Sequence, residues 1–349
     1  MSATSLAGEG RGRWLGGGRS PLAAVLLYVV VALAAGAALA LAEGDEQVER
    51  RLHDFHPVWL LVCLGGEVLA YVGYVVALRE TARVDGGPQL TFGHAFRVVA
   101  AGFGAFFAAS ASGGFEIDYL AIRHAGATRR QALARVLGLS TLEYAVLAPA
   151  ALAAAMILTF GEAFPHLALT IPWLLVVPGF AVAFWCSSPK RAHRFHHTDH
   201  QNVLRRCVGH AVAGLCILRG ILSQPFRHGL AFAGVAFYWF GDLACLWAAL
   251  MTFGAHVDVL RLLLAYATGY VVSRRGLPAG GVGVAEVLLT FAFVWFGVPF
   301  AAALLAVFGY RIFNLWLALL PAYAVQPTVA RLRRELPEAR IEAAERRAA

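Results

Sequence analysis

Residues 280–297 read GGVGVAEVLLTFAFVWFG, and residues 113–126 read GGFEIDYLAIRHAG. In each stretch a glycine pair precedes a segment that carries an acid, and a spacer glycine, Gly126 or Gly297, comes before a long apolar run. Aligning the two spacer glycines also aligns three identical pairs: Ala132 with Ala303, Val136 with Val307 and Gly138 with Gly309. Repeated pairs of broken helices are typical of transporters, in which they surround a polar site near the bilayer midplane.

The composition indicates that lipid is the solvent for most of this chain. Hydrophobic residues make up 59% and charged residues only 14%, whereas a typical soluble domain is about 25% charged. Residues 21–42 and 167–186 contain no charged residue, and each is long enough to cross ~30 Å of hydrocarbon. We therefore predict an all-α polytopic membrane protein with about six to eight spanning helices and two broken or re-entrant hairpins in an inverted-repeat arrangement.

The distribution of arginine and lysine predicts the topology, because these residues concentrate in cytoplasmic loops. Residues 1–20 form a cytoplasmic tail, residues 21–325 the transmembrane domain, and residues 326–349 a second cytoplasmic tail. The most basic loop, 187–228, contains a segment at 203–222 that we expect to be an amphipathic helix on the membrane surface. The net charge of +8 therefore points to anionic lipid in the cell membrane, and not to nucleic acid, as the partner.

Both glycine-pair units are predicted to be hairpins. Residues 92–112 are apolar, yet arginines follow before any further crossing, so both ends of this unit belong on the cytoplasmic side. A helix at 92–109, a turn at 110–114 and a returning helix at 115–124 satisfy that requirement. The second unit has a helix at 257–273, a turn at 274–283 and a helix at 284–296, and it is either re-entrant or fully spanning.

Ionisable groups inside apolar segments are the best candidates for function, because each costs a few kcal/mol at the bilayer centre unless it is paired or hydrated. Glu67, Glu143, Asp242, Glu286 and Arg311 form this set. Glu286 and Arg311 either grip a lipid headgroup, since arginine and a helix N-terminus both suit phosphate, or they hold two helices together. Asp242 lies within helical reach of Tyr238 and Trp239 and is either a proton-coupling carboxylate or a hydrogen-bonded buried acid.

The turns supply the remaining candidates. Arg274 and Arg275 either face a cavity at the tip of the second hairpin or anchor a cytoplasmic loop. Glu116, Asp118 and Arg123 are either site residues or the solvated end of a short helix, and the glycines permit positive φ or close backbone approach. The predicted substrate-binding residues are Gly113, Gly114, Glu116, Asp118, Arg123, Glu143, Asp242, Arg274, Arg275, Gly280, Gly281, Gly283, Glu286, Arg311 and Asn314.

No metal, cofactor or catalytic residue is predicted. His193, His196, His197 and His200 lie on one helical face, but a headgroup-contacting face explains this spacing better than a metal site does. The five cysteines show no CxxC spacing, so neither a disulfide framework nor a zinc site is indicated. Hydrolase, zinc-protease and Walker A motifs are also missing from the sequence.

The segment LPAGGVGVAE at 277–286, with Gly297 and LLAVFGYRIFNLWLALLPAY at 304–323, resembles the membrane region of lysylphosphatidylglycerol synthases. The run at 113–136 is similar to the first glycine motif of that family, and Arg311 matches the arginine expected in its last span. The resemblance extends over roughly residues 20–325 and implies a flippase-like domain that moves charged lipids between leaflets. The chain ends soon after its last span, so we do not expect the aminoacyl-transferase domain of the bifunctional synthases.

Three functions fit these features. The first is a lipid flippase or lipid-transport protein whose two repeats rock around a central cavity, driven by a gradient, by membrane potential or by downhill flow alone. The second is an integral membrane transferase in lipid or glycolipid synthesis, with Glu116, Asp118 and Glu286 as acids or bases. The third is a non-catalytic subunit that presents lipid to a membrane enzyme. We expect the protein not to be an enzyme.

Overall fold

The computed structural model describes residues 30, 34, 55–161, 167–188, 190–191, 203–271 and 283–325, and every element in these ranges is helical. Two segments are π-helical. Tyr266–Val271 continues the helix that ends at Ala265, and Ile312–Leu317 connects the helix that ends at Arg311 to the helix that begins at Ala318. The helices are α1 (Val58–Ala82), α2 (Phe92–His124), α3 (Arg129–Gly161), α4 (Leu167–Leu174), α5 (Val176–Cys186), α6 (Val203–Ser223), α7 (Pro225–Thr252), α8 (Val259–Ala265), α9 (Val284–Trp295), α10 (Phe300–Arg311) and α11 (Ala318–Ala324).

Four helical runs are long and apolar enough to cross a membrane. They are Val58–Ala82, Arg129–Gly161, Pro225–Thr252 and Phe300–Ala324. Large apolar side chains such as Leu61 and Phe237 are exposed on these runs, as expected where a helix faces lipid instead of water. These features confirm the prediction of an all-α polytopic membrane protein. Apart from Val30 and Ala34, the predicted span at 21–42 lies outside the described residues, as do both predicted tails.

Helices α1 and α7 cross at very short distance, which glycines on both helices make possible. A Cβ atom on Gly66 would lie 2.6 Å from the carbonyl oxygen of Gly241, and one on Gly73 would lie 2.6 Å from that of Gly234. Because the earlier glycine of α1 meets the later glycine of α7, the two helices run antiparallel. Small residues allow this approach in membranes, where close packing contributes much of helix association.

The same contacts define the symmetry of the fold. Each helix carries two glycines at the same spacing, and a two-fold axis that maps α1 onto α7 exchanges the Gly66–Gly241 contact with the Gly73–Gly234 contact. Since the helices are antiparallel, this axis lies perpendicular to them and hence in the membrane plane, which is the arrangement of an inverted repeat. This local symmetry of α1 and α7 is what the predicted inverted repeat requires, with α1–α3 as the first half and α7–α11 as the second half.

The spacer glycines end equivalent helices in the two halves. Gly126 and Gly297 have φ angles of +100° and +87°, which glycine adopts without a steric penalty. The same type of hydrogen bond, typical of a Schellman motif, closes each turn. Ala127 N donates to Ile122 O at 3.3 Å, and Val298 N donates to Phe293 O at 3.0 Å. These atoms occupy matching positions when Gly126 is aligned with Gly297, as the predicted repeat requires.

Helix α2 folds back on itself, as the first predicted hairpin requires. A Cβ atom on Gly102 would lie 3.9 Å from Asp118 Oδ1 and 4.0 Å from the carbonyl oxygen of Gly114, although a straight helix would separate residues 102 and 114 by ~18 Å. His94 and His124, at the two ends of α2, are close enough for their charges to interact. The chain therefore reverses between Gly102 and Gly114.

The position of the first turn differs from the prediction. Gly114 was expected within a turn at 110–114, but it lies on the returning arm, level with Gly102. The chain reversal therefore comes earlier in the sequence than the glycine pair, between Gly102 and Gly114.

The second hairpin pairs α8 and its π-helical extension with α9. A Cβ atom on Gly269 would lie 2.9 Å from Leu289 Cα, so the two arms pack backbone against backbone. Helix α9 has 12 residues, which gives a length of ~18 Å, too short for ~30 Å of hydrocarbon. Of the two arrangements that the sequence leaves open, the re-entrant one therefore fits. Residues 272–282, at the predicted turn, lie outside the described residues.

Each hairpin packs against the last span of the opposite half. A Cβ atom on Gly104 in the first hairpin would lie 2.6 Å from Ala322 Cβ in α11, and α8 of the second hairpin packs on α3. Trp173 Nε1 of α4 donates to Thr268 Oγ1 in the second hairpin at 3.0 Å. The hairpins therefore join the two halves.

The helix predicted in the basic loop is present as α6. It packs along α3, with Gly214 against Leu137 and Gly138 against Ile217. Ile221 is fully buried, so the apolar face of α6 covers α3 in addition to any contact with the membrane surface. The following crossing begins at Pro225 instead of at residue 229.

Candidate functional site

A buried ion pair joins the start of α9 to the end of α10. Arg311 Nε donates to Glu286 Oε1 at 2.6 Å, and the two side chains are only 1% and 2% exposed. Glu286 Oε2 accepts a second hydrogen bond from the backbone N–H of Gly283 at 2.6 Å. The structure thus brings together three of the predicted site residues beside the second hairpin turn.

The local sequence explains this geometry. Gly283 has a φ of +87° and is the N-cap residue of α9, while Glu286 occupies the third position of that helix. A glutamate at this position caps the free N–H groups and interacts favourably with the helix dipole. Burying either charge alone would cost several kcal/mol, so each side chain requires the other.

A second buried cluster surrounds Asp242 on α7, whose side chain is fully buried. Asp242 Oδ1 accepts hydrogen bonds from Tyr310 Oη at 2.7 Å and Asn314 Nδ2 at 2.8 Å. Asp242 Oδ2 accepts one from Tyr266 Oη. Three donors compensate this carboxylate for its lost hydration. They come from the second hairpin and the last span.

Glu67 of α1 faces this cluster across the glycine crossing. It follows Gly66 in the chain as Asp242 follows Gly241, and its neighbours are Asp242, Asn314 and Cys245. The Oε1 atom of Glu67 is shielded from solvent and has no hydrogen-bond partner in the described part of the chain. Two carboxyl groups therefore meet where the halves cross.

The last span connects the ion pair with the Asp242 cluster. Tyr310 and Arg311 are consecutive at the end of α10, and Asn314 follows in the π-helical segment. Tyr266 begins the other π-helical segment. Because π-helical turns are rare and are frequently found at functional sites, their presence at both ends of this cluster supports a functional role for it.

The first hairpin has a polar cluster of its own. Asp118 is buried and accepts a hydrogen bond from Tyr74 Oη at 3.3 Å. Arg123 Nη1 donates to the carbonyl oxygen of Ala127 at 2.8 Å and so supports the end of the returning arm. Glu116 is exposed, Gly113 is buried and Gly114 is half-buried.

The two halves use related contacts around the two-fold axis. In the first half a tyrosine of α1 bonds an acid of the hairpin, Tyr74 to Asp118; in the second half an acid of α7 bonds a tyrosine of the hairpin, Asp242 to Tyr266. Tyr74 follows Gly73 as Asp242 follows Gly241. A Tyr–Asp hydrogen bond therefore connects the long helix to the hairpin in each half.

The remaining predicted residues are Glu143, which the structure describes, and a group at the second turn that lies outside the described residues. Glu143 is buried in α3, and its backbone carbonyl accepts a hydrogen bond from Trp239 Nε1 at 2.9 Å. Arg274, Arg275, Gly280 and Gly281 lie outside the described residues, as does the histidine face His193, His196, His197 and His200.

Sequence reasoning did not include Tyr74, Tyr266 and Tyr310 among the site residues. It named Glu67 as an intramembrane charge but did not place it among the predicted substrate-binding residues. For Glu67 the signal was available, because a Gly-acid dipeptide occurs in both α1 and α7. For the tyrosines no local signal existed, since each reaches its carboxylate across a helix–helix contact.

Comparison with known proteins identifies the family. No curated relative matches this chain. A family model, by contrast, matches residues 21–322, which include both hairpins and both polar clusters. The chain therefore belongs to the family defined by the lysylphosphatidylglycerol synthase transmembrane region, and it is a multi-pass membrane protein with a lipid-related function.

Proposed function

We propose that this protein moves a charged phospholipid between the leaflets of the cell membrane, with both termini in the cytoplasm. The observation that carries this proposal is the buried Glu286–Arg311 pair, which lies beside the turn of a hairpin too short to cross the bilayer. Charged groups inside a membrane domain are functional by default because their burial is costly.

Arg311 is the group best suited to a lipid phosphate. A guanidinium forms strong, directional hydrogen bonds with phosphate oxygens, and the N-terminus of α9 adds positive potential beside it. Without lipid, Glu286 neutralises Arg311. An arriving phosphate competes with that carboxylate, so the site exchanges one anion for another without leaving the arginine unpaired.

The symmetry of the fold supplies a route for the motion. The halves meet at the α1–α7 glycine crossing, and rocking of one repeat against the other around a central site is the usual mechanism of inverted-repeat transporters. The acyl chains remain in the bilayer while the headgroup passes the polar residues of α7, α9 and α10. The site residues support transport more than group transfer, because both oxygens of Glu286 already accept hydrogen bonds.

Reconstitution into liposomes tests the proposal. A headgroup panel of labelled anionic, zwitterionic and cationic phospholipids is placed in proteoliposomes, and a membrane-impermeant quencher reports the label that remains inside. We expect protein-dependent exposure of at least one charged lipid, and its loss in the double variant E286Q/R311Q. The matched control is E80Q, which removes a glutamate at the end of α1, where Glu80 pairs with the exposed Arg83.

The same purified protein also tests the two other functions, those of a transferase and of a lipid-presenting subunit. Lack of movement for every lipid in the panel would refute transport. Product formation from a lipid substrate in detergent, without a sealed compartment, would establish a transferase instead. Copurification with one fixed enzyme, together with inactivity of the isolated protein, would establish a lipid-presenting subunit.

A further inference from the structure

We propose that Glu67 and Asp242 together hold one exchangeable proton, and that lipid movement is coupled to proton movement through this pair. The inference deepens the proposed function and rests on it for the coupling step only. The proton site itself stands on the meeting of two carboxyl groups beside the Gly66–Gly241 contact of α1 and α7.

The charge balance of the site requires a positive charge. The Glu286–Arg311 pair is neutral by itself, whereas Glu67 and Asp242 would together carry two negative charges in a buried position. Neighbouring carboxylates in a low-dielectric site cannot both remain ionised without compensation. A proton on one of them supplies that compensation and places an O–H donor between the two groups.

The surrounding groups favour a proton over a metal cation. The titratable and polar groups that face the pair are Cys63 on α1, Cys245 on α7, Tyr266 in the second hairpin, and Tyr310 and Asn314 on the last span. Asp242 already accepts hydrogen bonds from three of them on both oxygens. Donor hydrogens directed at a carboxylate occupy the lone pairs that a metal would need.

Glu67 provides the exchange position. Its Oε1 atom has no hydrogen-bond partner in the described part of the chain, so this carboxyl group has a free position for a further hydrogen bond. A water molecule that reaches Glu67 can deliver a proton to the carboxylate, which then donates to Asp242; loss of the proton to water on the other side reverses the step. Rocking at the adjacent Gly66–Gly241 contact changes the side from which water reaches Glu67.

The first experiment detects the proton without any lipid movement. Infrared difference spectra of the full-length protein in nanodiscs are recorded between acidic and alkaline pH for wild type, E67Q, D242N and E80Q. We expect the carbonyl band of a buried protonated acid in wild type and E80Q, and its loss in E67Q. An unchanged band in E67Q and D242N, or no band in wild type, overturns the proton site. D242N provides the test if E67Q does not fold.

The second experiment tests coupling. In proteoliposomes that move lipid, a gradient of one pH unit is expected to enrich the transported lipid in one leaflet up to about tenfold for each proton coupled. In E67Q we expect the lipid distribution to stop responding to the pH gradient, whereas the control E80Q is expected to respond as the wild type does. Enrichment driven by sodium and not by pH would overturn the proton assignment, as would wild-type movement that ignores the gradient. Complete absence of lipid movement refutes the proposed function but leaves the infrared result valid.

Discussion

Gly66 and Gly241 pack backbone to backbone at the point where the two halves of this protein cross. A Cβ atom on Gly66 would lie 2.6 Å from the carbonyl oxygen of Gly241, a distance that a real side chain does not tolerate without backbone movement. The contact places Glu67 beside Asp242, because each acid directly follows its glycine. Helix packing and the polar cluster therefore depend on the same two residues.

Substitution of Gly66 by alanine is expected to destabilise the protein by about 1–3 kcal/mol, because overpacking forces α1 and α7 apart. The neighbouring glycine supplies a matched control, since a Cβ atom on Gly65 would meet nothing within 4 Å. We expect G65A to be neutral or stabilising by up to about 1 kcal/mol, through helix propensity. Thermal unfolding of both variants in the same detergent measures the difference, and equal stabilities would contradict the assigned crossing.

Removal of one partner of the Glu286–Arg311 pair is expected to cost more than removal of both. E286Q leaves a buried guanidinium without its counter-charge, and breaking a buried pair in this way costs about 3–5 kcal/mol. The double variant E286Q/R311Q is expected to recover much of that stability, because it leaves no net charge. Unfolding midpoints of the two single variants and the double variant form a mutant cycle, and additive losses would show that the pair does not act as a unit.

The repeat predicts that substitution of either spacer glycine by alanine lowers the stability of the protein by a similar amount. Gly126 and Gly297 both have positive φ, and a Cβ atom on either would meet nothing within 4 Å. Alanine at each position is therefore expected to cost about 1–3 kcal/mol from backbone strain alone. Gly229, which has open space but no positive φ, is the control. Thermal unfolding of G126A, G297A and G229A compares the three, and a loss confined to one half would contradict equivalence of the two turns.

The sequence predicted those parts of the fold that depend on local pattern. Gly126 and Gly297 identified the repeat because a helix-ending glycine is a local requirement. The arginines after residue 112 indicated a hairpin because charge distribution sets topology. The position of the turn was wrong, since Gly114 lies level with Gly102 on the returning arm, and a glycine pair in the sequence does not by itself fix the residue at which a hairpin reverses.

The candidate site was only partly predictable for the same reason. Glu286 and Arg311 could be named because an intramembrane charge requires a partner, and the resemblance to the family pointed to the same arginine. The hydrogen bonds of Asp242 could not be predicted, because Tyr266 and Tyr310 reach its carboxylate from separate helices. Which residues meet across a bundle depends on tertiary packing, and periodicity within one helix does not contain that information.

The reversal of α2 between Gly102 and Gly114 leads to a distance prediction. Spin labels at His94 and His124 are expected to lie close together, whereas a straight helix would separate residues 30 positions apart by ~45 Å. Arg129 and Thr159 have the same sequence separation within α3, so they form the control pair and are expected to be far apart. Pulsed electron resonance on double-cysteine variants, with the native cysteines replaced, measures both distances. A long distance for the 94–124 pair would mean that α2 is straight, and the first half would then lack the re-entrant hairpin on which the inverted repeat depends.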